Sequence, residues 1–317
     1  MIAEHRVESG WDGDAENLAI VIPTLNAEPY LGRLLPALAD QGIPKACFLV
    51  VDSASTDRTV AMFDTFGAEI VPIARATFNH GGTRRLAVSL RPQARFIVML
   101  TQDAIPATPQ AIRSLLEAFD DSSVGMAYGR QLPRLEAGGI ERHARLFNYP
   151  ERSMVRGFED RAKFGVKTVF CSDSFAVYRR TALEEVGGFP EDAYFAEDQI
   201  IAGRMLQAAW KLAYQADATV YHSHGYSVGE DFRRYFDVGV YHGRNRWLID
   251  AFGRAEKEGG NFVKSELAYL ARHYPERLPS AVVRIFAKYA GYQLGLREEH
   301  FSIFWKRRLS MQPFYWK

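Results

Sequence analysis

Acidic residues recur in this chain where a carboxylate can do chemistry. Asp52 and Asp103 each follow a short apolar run, Phe48–Val51 and Phe96–Leu100. Glu197 and Asp198 stand side by side much further on, and His222 and His224 flank Ser223. Short polar residues accompany them: Pro23, Thr24 and Asn26 after the run Leu18–Ile22, Ser53 and Ser55 after Asp52, and Gln102 before Asp103. Carboxylates of this kind accept hydrogen bonds, hold a hard cation or take a proton from a hydroxyl. Each has an ordinary alternative. Asp52 or Asp57 can cap a helix, and Glu197 and Asp198 can complement a helix N-terminus. The two histidines can be a structural polar pair. The signal lies in the set.

The segments between these groups say how they are held. Leu18–Ile22 reads as a strand ended by Pro23, and Leu31, Leu34, Leu35 and Leu38 fall at helical spacing. Phe48–Val51 is a second strand, and a helix opens near Thr56-Asp57. Glu69–Ile73, Phe96–Leu100 and Val124–Tyr128 add strands, with a helix after Pro109. Alternating apolar strands and helices predict an α/β fold around a mainly parallel sheet covered on both faces. Ligands bind beyond the carboxyl ends of such strands, and the polar clusters sit at those ends. Residues 130–167 carry Arg, Glu and Gly with little periodicity and read as a mobile region over an acceptor cleft. Order returns at Thr168–Tyr178, then a helix follows Glu197-Asp198. The expected organisation is a flexible arm over residues 1–17, a catalytic domain over 18–228 and a helical extension over 229–317.

Composition narrows the class. The formal net charge of +1 gives no support to nucleic acid as a partner. The 2 cysteines, Cys47 and Cys171, are too few for a disulfide framework. Cys47 lies in an apolar run and reads as a buried thiol. The polar N-terminus does not read as a signal peptide, and no apolar run approaches the roughly 20 residues that cross a bilayer. A soluble or peripheral cytoplasmic protein is expected. The first strand–helix turn, Pro23-Thr24-Leu25-Asn26, lacks GxGxxG, which argues against a Rossmann dehydrogenase.

Taken together, these residues resemble the family 2 glycosyltransferases, which have the GT-A fold, over about residues 18–225. IPTLN and VVDSASTDRT resemble the family's two nucleotide-binding segments. TQDA stands where its DxD-type metal motif stands, and FAEDQ where its base motif stands. The resemblance implies a nucleotide-sugar site formed by Pro23, Thr24, Asn26, Asp52, Ser53, Ser55, Arg84, Gln102 and Asp103. Asp52 would accept the imide N–H of uracil or thymine. Asp103 would hold Mg²⁺ or Mn²⁺ on the donor diphosphate. Gln102 occupies the place of a second acid, so a late histidine is needed, His224 preferred over His222. Asp198 would be the single general base of an inverting transfer, with Glu197 the neighbour to distinguish from it.

FNHGGTR, Phe78–Arg84, and HSH, 222–224, are similar to the family's bacterial rhamnosyltransferases, which use dTDP-L-rhamnose. The two glycines leave room for close backbone approach, and Arg84 would reach the diphosphate. Gly187-Gly188-Phe189 resembles the family's turn before the base motif. A saccharide or lipid-linked saccharide acceptor in surface polysaccharide synthesis follows. The alternatives are a UDP-hexose or GDP-mannose donor, or a nucleotide-sugar-binding protein without turnover. Arg233, Arg234, Arg244 and Arg246 interleave with Tyr235, Phe236, Tyr241 and Trp247, and the chain ends in further aromatic and basic residues. That composition suits peripheral contact with the inner face of the plasma membrane, or a helical cap or dimer surface whose aromatics are buried.

Overall fold

The computed structural model describes residues 13–193, 195–254 and 258–317. Residues 1–12 of the expected arm lie outside these; Ala15–Asn17 form a 3₁₀ turn leading into the first strand. In chain order the elements are β1 (Leu18–Thr24), α1 (Glu28–Ala39), β2 (Phe48–Asp52), α2 (Thr59–Phe66), β3 (Glu69–Pro72), α3 (His80–Ser89), β4 (Phe96–Leu100) and β5 (Ile105–Pro106). Then follow α4 (Ala111–Leu116), β6 (Val124–Leu132), α5 (Gly139–Asn148), β7 (Met154–Arg156), α6 (Arg161–Phe164), β8 (Phe175–Arg179), α7 (Arg180–Glu185), α8 (Glu197–Gln207) and β9 (Lys211–Tyr221). Five helices close the chain: α9 (Val228–Arg244), α10 (Arg246–Phe252), α11 (Glu258–His273), α12 (Leu278–Gly295) and α13 (Ile303–Leu309).

Among the described residues the strands form one sheet in the order β3-β2-β1-β4-β8-β6-β9-β5, with β7 also on β9. β3, β2, β1 and β4 are parallel neighbours, as are β6 and β9, while β8 runs antiparallel between β4 and β6. The reversal at β8 has a consequence for chemistry. It brings the residues that precede β8 to the same sheet edge as those that follow β1, β2, β4, β6 and β9. The central strands are buried on both faces, as their unbroken apolar runs require. One core lies on each side of the sheet.

Three segments differ from expectation. Thr168 belongs to a 3₁₀ turn, Gly165–Val169, where its Oγ1 donates to the Gly165 carbonyl, and the strand begins only at Phe175. Residues 130–167 are not loose: they hold the end of β6, then α5, β7 and α6. The stripe of α5 is His143 and Phe147 rather than aliphatic, and both rings meet Phe262 of α11, at 5.2 and 5.1 Å between centroids. A helix whose partner lies that far along the chain carries little local signal. β9, which carries the far half of the sheet, was not among the expected strands.

Ser227 opens α9 with a capping box, its Oγ accepting from Glu230 N while its own N–H donates to Glu230 Oε2. α9 and α12 then touch backbone to backbone. A Cβ on Gly291 would stand 2.2 Å from the Phe232 carbonyl oxygen, and one on Gly295 2.1 Å from that of Phe236. Tyr241, Leu248 and Phe252 belong to the same core as Val21 and Leu49, so α9 and α10 are packed directly onto the sheet.

Candidate active site

The ends of β1, β2 and β4 lie side by side, with Thr24 opposite Asp52 in register. Asp52, only 3% exposed, accepts from Thr24 Oγ1 at 3.0 Å, from Ser55 N at 2.9 Å and from Ser55 Oγ. A carboxylate has about four acceptor positions, so one stays open for a ligand N–H. Pro23 ends β1 opposite Val51, and Ser53 N–H donates to the Thr24 carbonyl at 2.9 Å. Asn26 and Ala54 both have left-handed backbone, at φ +49° and +61°. Asn tolerates that region through local hydrogen bonds. Here its Oδ1 accepts from Thr56 N at 2.9 Å while its own N–H donates to Ser55 Oγ at 2.8 Å. Asp57 links the same two loops, accepting from Glu28 N and Thr59 N.

Gln102 explains its own identity. Its Oε1 accepts from Leu25 N at 2.8 Å and its Nε2 donates to Leu25 O at 3.1 Å. This two-way bond ties the β1–α1 loop to the end of β4. An acid could not donate the second bond, so the residue in the place of a second metal ligand is a loop clamp.

Asp103 is 7% exposed and meets His222 Nε2 at 3.4 Å, His224 Nε2 at 3.7 Å and Arg134 Nη2 at 3.2 Å. Ligand atoms of Asp103, His222 and His224 all lie within 4.8 Å of one another. The His222 ring is oriented from behind: Nδ1 lies 3.0 Å from Gln131 Oε1, an oxygen that also accepts from Arg145. Gln131 Nε2 donates to Ser172 Oγ at 2.8 Å, which fixes the amide. His222 Nδ1 therefore keeps its proton, and a cation that displaced the proton from Nε2 would meet the lone pair there. Burial raises the Asp103 carboxyl, but the hydrogen bond and charge of His222, with His224 and Thr101, outweigh it and hold Asp103 well below the usual carboxylate range. Burial first, and then the charge of His222, pull His224 down to about 3, against the attraction of Asp103. One ionised carboxylate and neutral imidazole nitrogen suit a divalent cation. Both histidines join the cluster, where the sequence singled out His224.

The start of α8 is assembled differently. Glu197 and Asp198 begin α8 after Ala196, whose φ of +54° is left-handed without a glycine. Backbone strain of this sort costs on the order of 1 kcal/mol and gathers at functional sites. Glu197, 4% exposed, is spent on an ion pair with Arg84 Nη1 at 2.9 Å. Asp198 forms no ion pair among the described residues: its oxygens accept from Asp173 N at 3.1 Å and Gln199 N at 2.8 Å. Burial, and then the charges of Asp173 and Glu197, push Asp198 well above the ordinary carboxylate range. A base tuned upward in this way is suited to taking a hydroxyl proton. The distinction the sequence leaves open between the two acids is thus a matter of partners.

Arg84 requires a correction. The sequence points it at a donor diphosphate, but its guanidinium is 4% exposed and bridges Asp173 Oδ2, 2.8 Å from Nε, and Glu197. The glycines of FNHGGTR are likewise close to protein rather than ligand. Gly81 N–H donates to the Ala193 carbonyl at 3.1 Å, and a Cβ on Gly81 would lie 1.8 Å from the Pro190 oxygen. Arg85 donates to the carbonyls of Gly187 and Phe189. The motif therefore braces the segment that leads into Asp198. Asp173, which completes this brace and receives the Tyr178 hydroxyl, has no motif around it and was missed by sequence reading. Its signal is the antiparallel β8, which only the sheet reveals.

A cavity of about 780 Å³ is walled by α5, α9, α11 and α12 and reaches His224, which neighbours Asp103, and Gln199, which follows Asp198. Its size falls in the range of sites that enclose small molecules.

A mainly parallel sheet with β8 reversed at its centre and β5 and β7 antiparallel on β9, two loops knitted together at the ends of β1 and β2, an Asp/His cluster and a buried acid at a helix start fit the GT-A fold, and the chain belongs to the glycosyl transferase family 2, whose model matches residues 19–187. The chain is 43% identical to the O-antigen chain rhamnosyltransferase RfbN of Salmonella typhimurium over 94% of this chain and 96% of that protein. It is 40% identical to the O-antigen chain rhamnosyltransferase WbaN of Salmonella anatum, over 95% and 96%. The fold is similar to that of a mannosyltransferase from Pyrobaculum calidifontis solved with GDP-mannose and Mn²⁺, with a TM-score of 0.54 and 21% identity over 94% of this chain and 84% of that one.

Proposed function

We propose that this enzyme transfers L-rhamnose from dTDP-L-rhamnose to a saccharide acceptor, free or lipid-linked, in surface polysaccharide synthesis, with inversion at the anomeric carbon. The observation that carries this reading is the single cavity that reaches both His224 and the start of α8. The relatives' names favour rhamnose as the sugar. Thr24, Asn26, Asp52, Ser53 and Ser55 hold the thymidine, with Pro23 at the strand end and Gln102 securing the loop. The acceptor hydroxyl oxygen bonds to the anomeric carbon as the carbon–oxygen bond to the diphosphate breaks. Its proton passes to Asp198, and the bonding electron pair leaves with dTDP. One base suffices because the leaving group departs as a stable anion and needs no acid.

Asp103, His222 and His224 would hold the cation. Their mixed oxygen and nitrogen donors fit Mn²⁺ more readily than Mg²⁺, which favours all-oxygen octahedra. Such a cation supplies positive charge for the departing diphosphate.

The test is transfer and thermal protection across dTDP-rhamnose, UDP-hexoses and GDP-mannose, each with Mn²⁺, Mg²⁺ or chelator. We expect metal-dependent protection by dTDP-rhamnose above the others. Preference for UDP-hexose or GDP-mannose would replace the donor, and donor binding that ignores chelator and Asp103→Ala would remove the metal.

The enzyme works at the inner face of the plasma membrane in this reading. Among the described residues no helix is long and apolar enough to cross a membrane. The aromatics of α9 do not serve a membrane face, since Phe236 and Tyr241 are buried, as is Trp316 in the tail. Phe304 and Trp305 of α13 are exposed beside Arg307 and Arg308, and they support peripheral contact. Vesicle flotation of Phe304→Ser/Trp305→Ser should lose binding that the native chain shows; equal flotation of both would refute the contact.

A further inference from the structure

Arg84 is committed to the base region, so the anionic diphosphate of the donor must be met by other cations. The cavity wall offers several, and most are already engaged. Lys167 pairs with Glu258, Arg284 with Asp231 at 2.6 Å, and Arg277 with Glu276 at 3.6 Å. Arg145 donates to the Gln131 amide that orients His222.

Lys288 lies over the rings of Tyr235 and Phe262, 5.7 Å from each centroid, and its charge acts on Glu266, so among the described residues Arg234 of α9 is the wall cation nearest the start of α8 without an ion pair. Its guanidinium lies over the Phe195 ring, 4.5 Å from the centroid, and no carboxylate or other acceptor among the described residues binds it. Stacking fixes the plane of a guanidinium while leaving its N–H edge free, and that edge matches the oxygens of a phosphate. Asp237, one turn further along α9, feels the Arg234 charge without forming an ion pair with it, and a half-buried cation without a direct anion bears a desolvation cost that a bound anion would offset.

Its neighbours connect it to both halves of the site. Phe195 is the residue before Ala196, so the stack rests on the strained turn that starts the base helix. On the other side, Arg234 lines the same cavity as His224 and Tyr226, whose rings stack at 5.2 Å and 18°. A ligand that touches Arg234, the metal cluster and the base together is an anion with a sugar attached.

We infer that Arg234 binds the donor diphosphate and supports its charge as it leaves. This rests on the reading of the site as one for a nucleoside diphosphate sugar. Because Phe195 carries the guanidinium, an occupied Arg234 also steadies the turn before Asp198, so donor binding and base placement are linked through one stacked pair.

The experiment is calorimetric titration of dTDP and dTMP into the full-length protein, native, Arg234→Ala and Arg234→Lys, with Mn²⁺ present. Arg234→Ala should weaken dTDP about tenfold, the scale of one charge-assisted hydrogen bond, and leave dTMP unchanged. Arg234→Lys should recover part of the loss. Unchanged dTDP affinity with a raised acceptor KM would place Arg234 at the acceptor and overturn the inference. Equal losses for dTDP and dTMP with a lowered Tm would make the residue structural and also overturn it. If the native protein binds UDP or GDP in place of dTDP, the donor reading fails; the gap between that base's diphosphate and monophosphate then tests Arg234 independently.

Discussion

The loops we propose for the donor and the region we propose for the base sit at one edge of one sheet, yet they are built by opposite means. At the ends of β1, β2 and β4, neutral groups do the work: Gln102 on Leu25, Ser55 on Asn26, Asn26 on Thr56, Thr24 on Asp52. At the start of α8, buried ions do it: Arg84 against Asp173 and Glu197, with Asp198 excluded from the pairing. A net built mostly of uncharged donors fixes a pocket's shape and leaves an acceptor position on Asp52 open for a ligand. A charged net with more acids than bases also sets the affinity of the unpaired acid for a proton. Shape is what donor recognition needs, and proton affinity is what the transfer step needs.

The contrast can be broken in order of expected effect. Asp198→Asn should lower kcat by about 10²–10⁴-fold, the usual contribution of a general base, with dTDP affinity intact. Transfer near the native rate would return the role to another group. Arg84→Met comes next. Removing one partner of a buried ion pair costs about 3–5 kcal/mol, so thermal unfolding should fall markedly and activity with it. If Arg84 instead served the diphosphate, Tm would hold and only dTDP affinity would drop.

Asp173→Asn probes the tuning itself. Asp198 is raised, so it is protonated and inactive at low pH, and the rate should climb with pH through a range above that of ordinary carboxylates. Removing the Asp173 charge should move that acid limb to lower pH, and an unmoved limb would show that Asp173 only positions. Gln102→Ala is the mildest. It deletes two loop bonds of about 1 kcal/mol each and should raise the donor KM up to tenfold or so, with kcat and the pH profile unchanged. A shift in the pH profile would mean that the two regions are not separate.

The same contrast explains what the sequence discloses. The donor loops are short, local and flanked by apolar strands, so Asp52, Asn26 and Asp103 are legible as a set. The base region needs Arg84, Asp173 and Glu197 to meet from three distant segments, and no spacing encodes that meeting. FNHGGTR is conspicuous in the sequence, but only Gly81 against Pro190 shows that its partner is the chain itself. α5 escaped notice because it packs through His143 and Phe147 on the later α11, whereas Leu31, Leu34 and Leu38 announced α1 by themselves.

The central claim is a single displacement served by one base. It is tested most directly by the anomeric configuration of the product, read by NMR during transfer from dTDP-L-rhamnose. The account predicts a glycoside of configuration opposite to the donor's, formed without a covalent sugar–enzyme species. A product that retains the donor's configuration would contradict it.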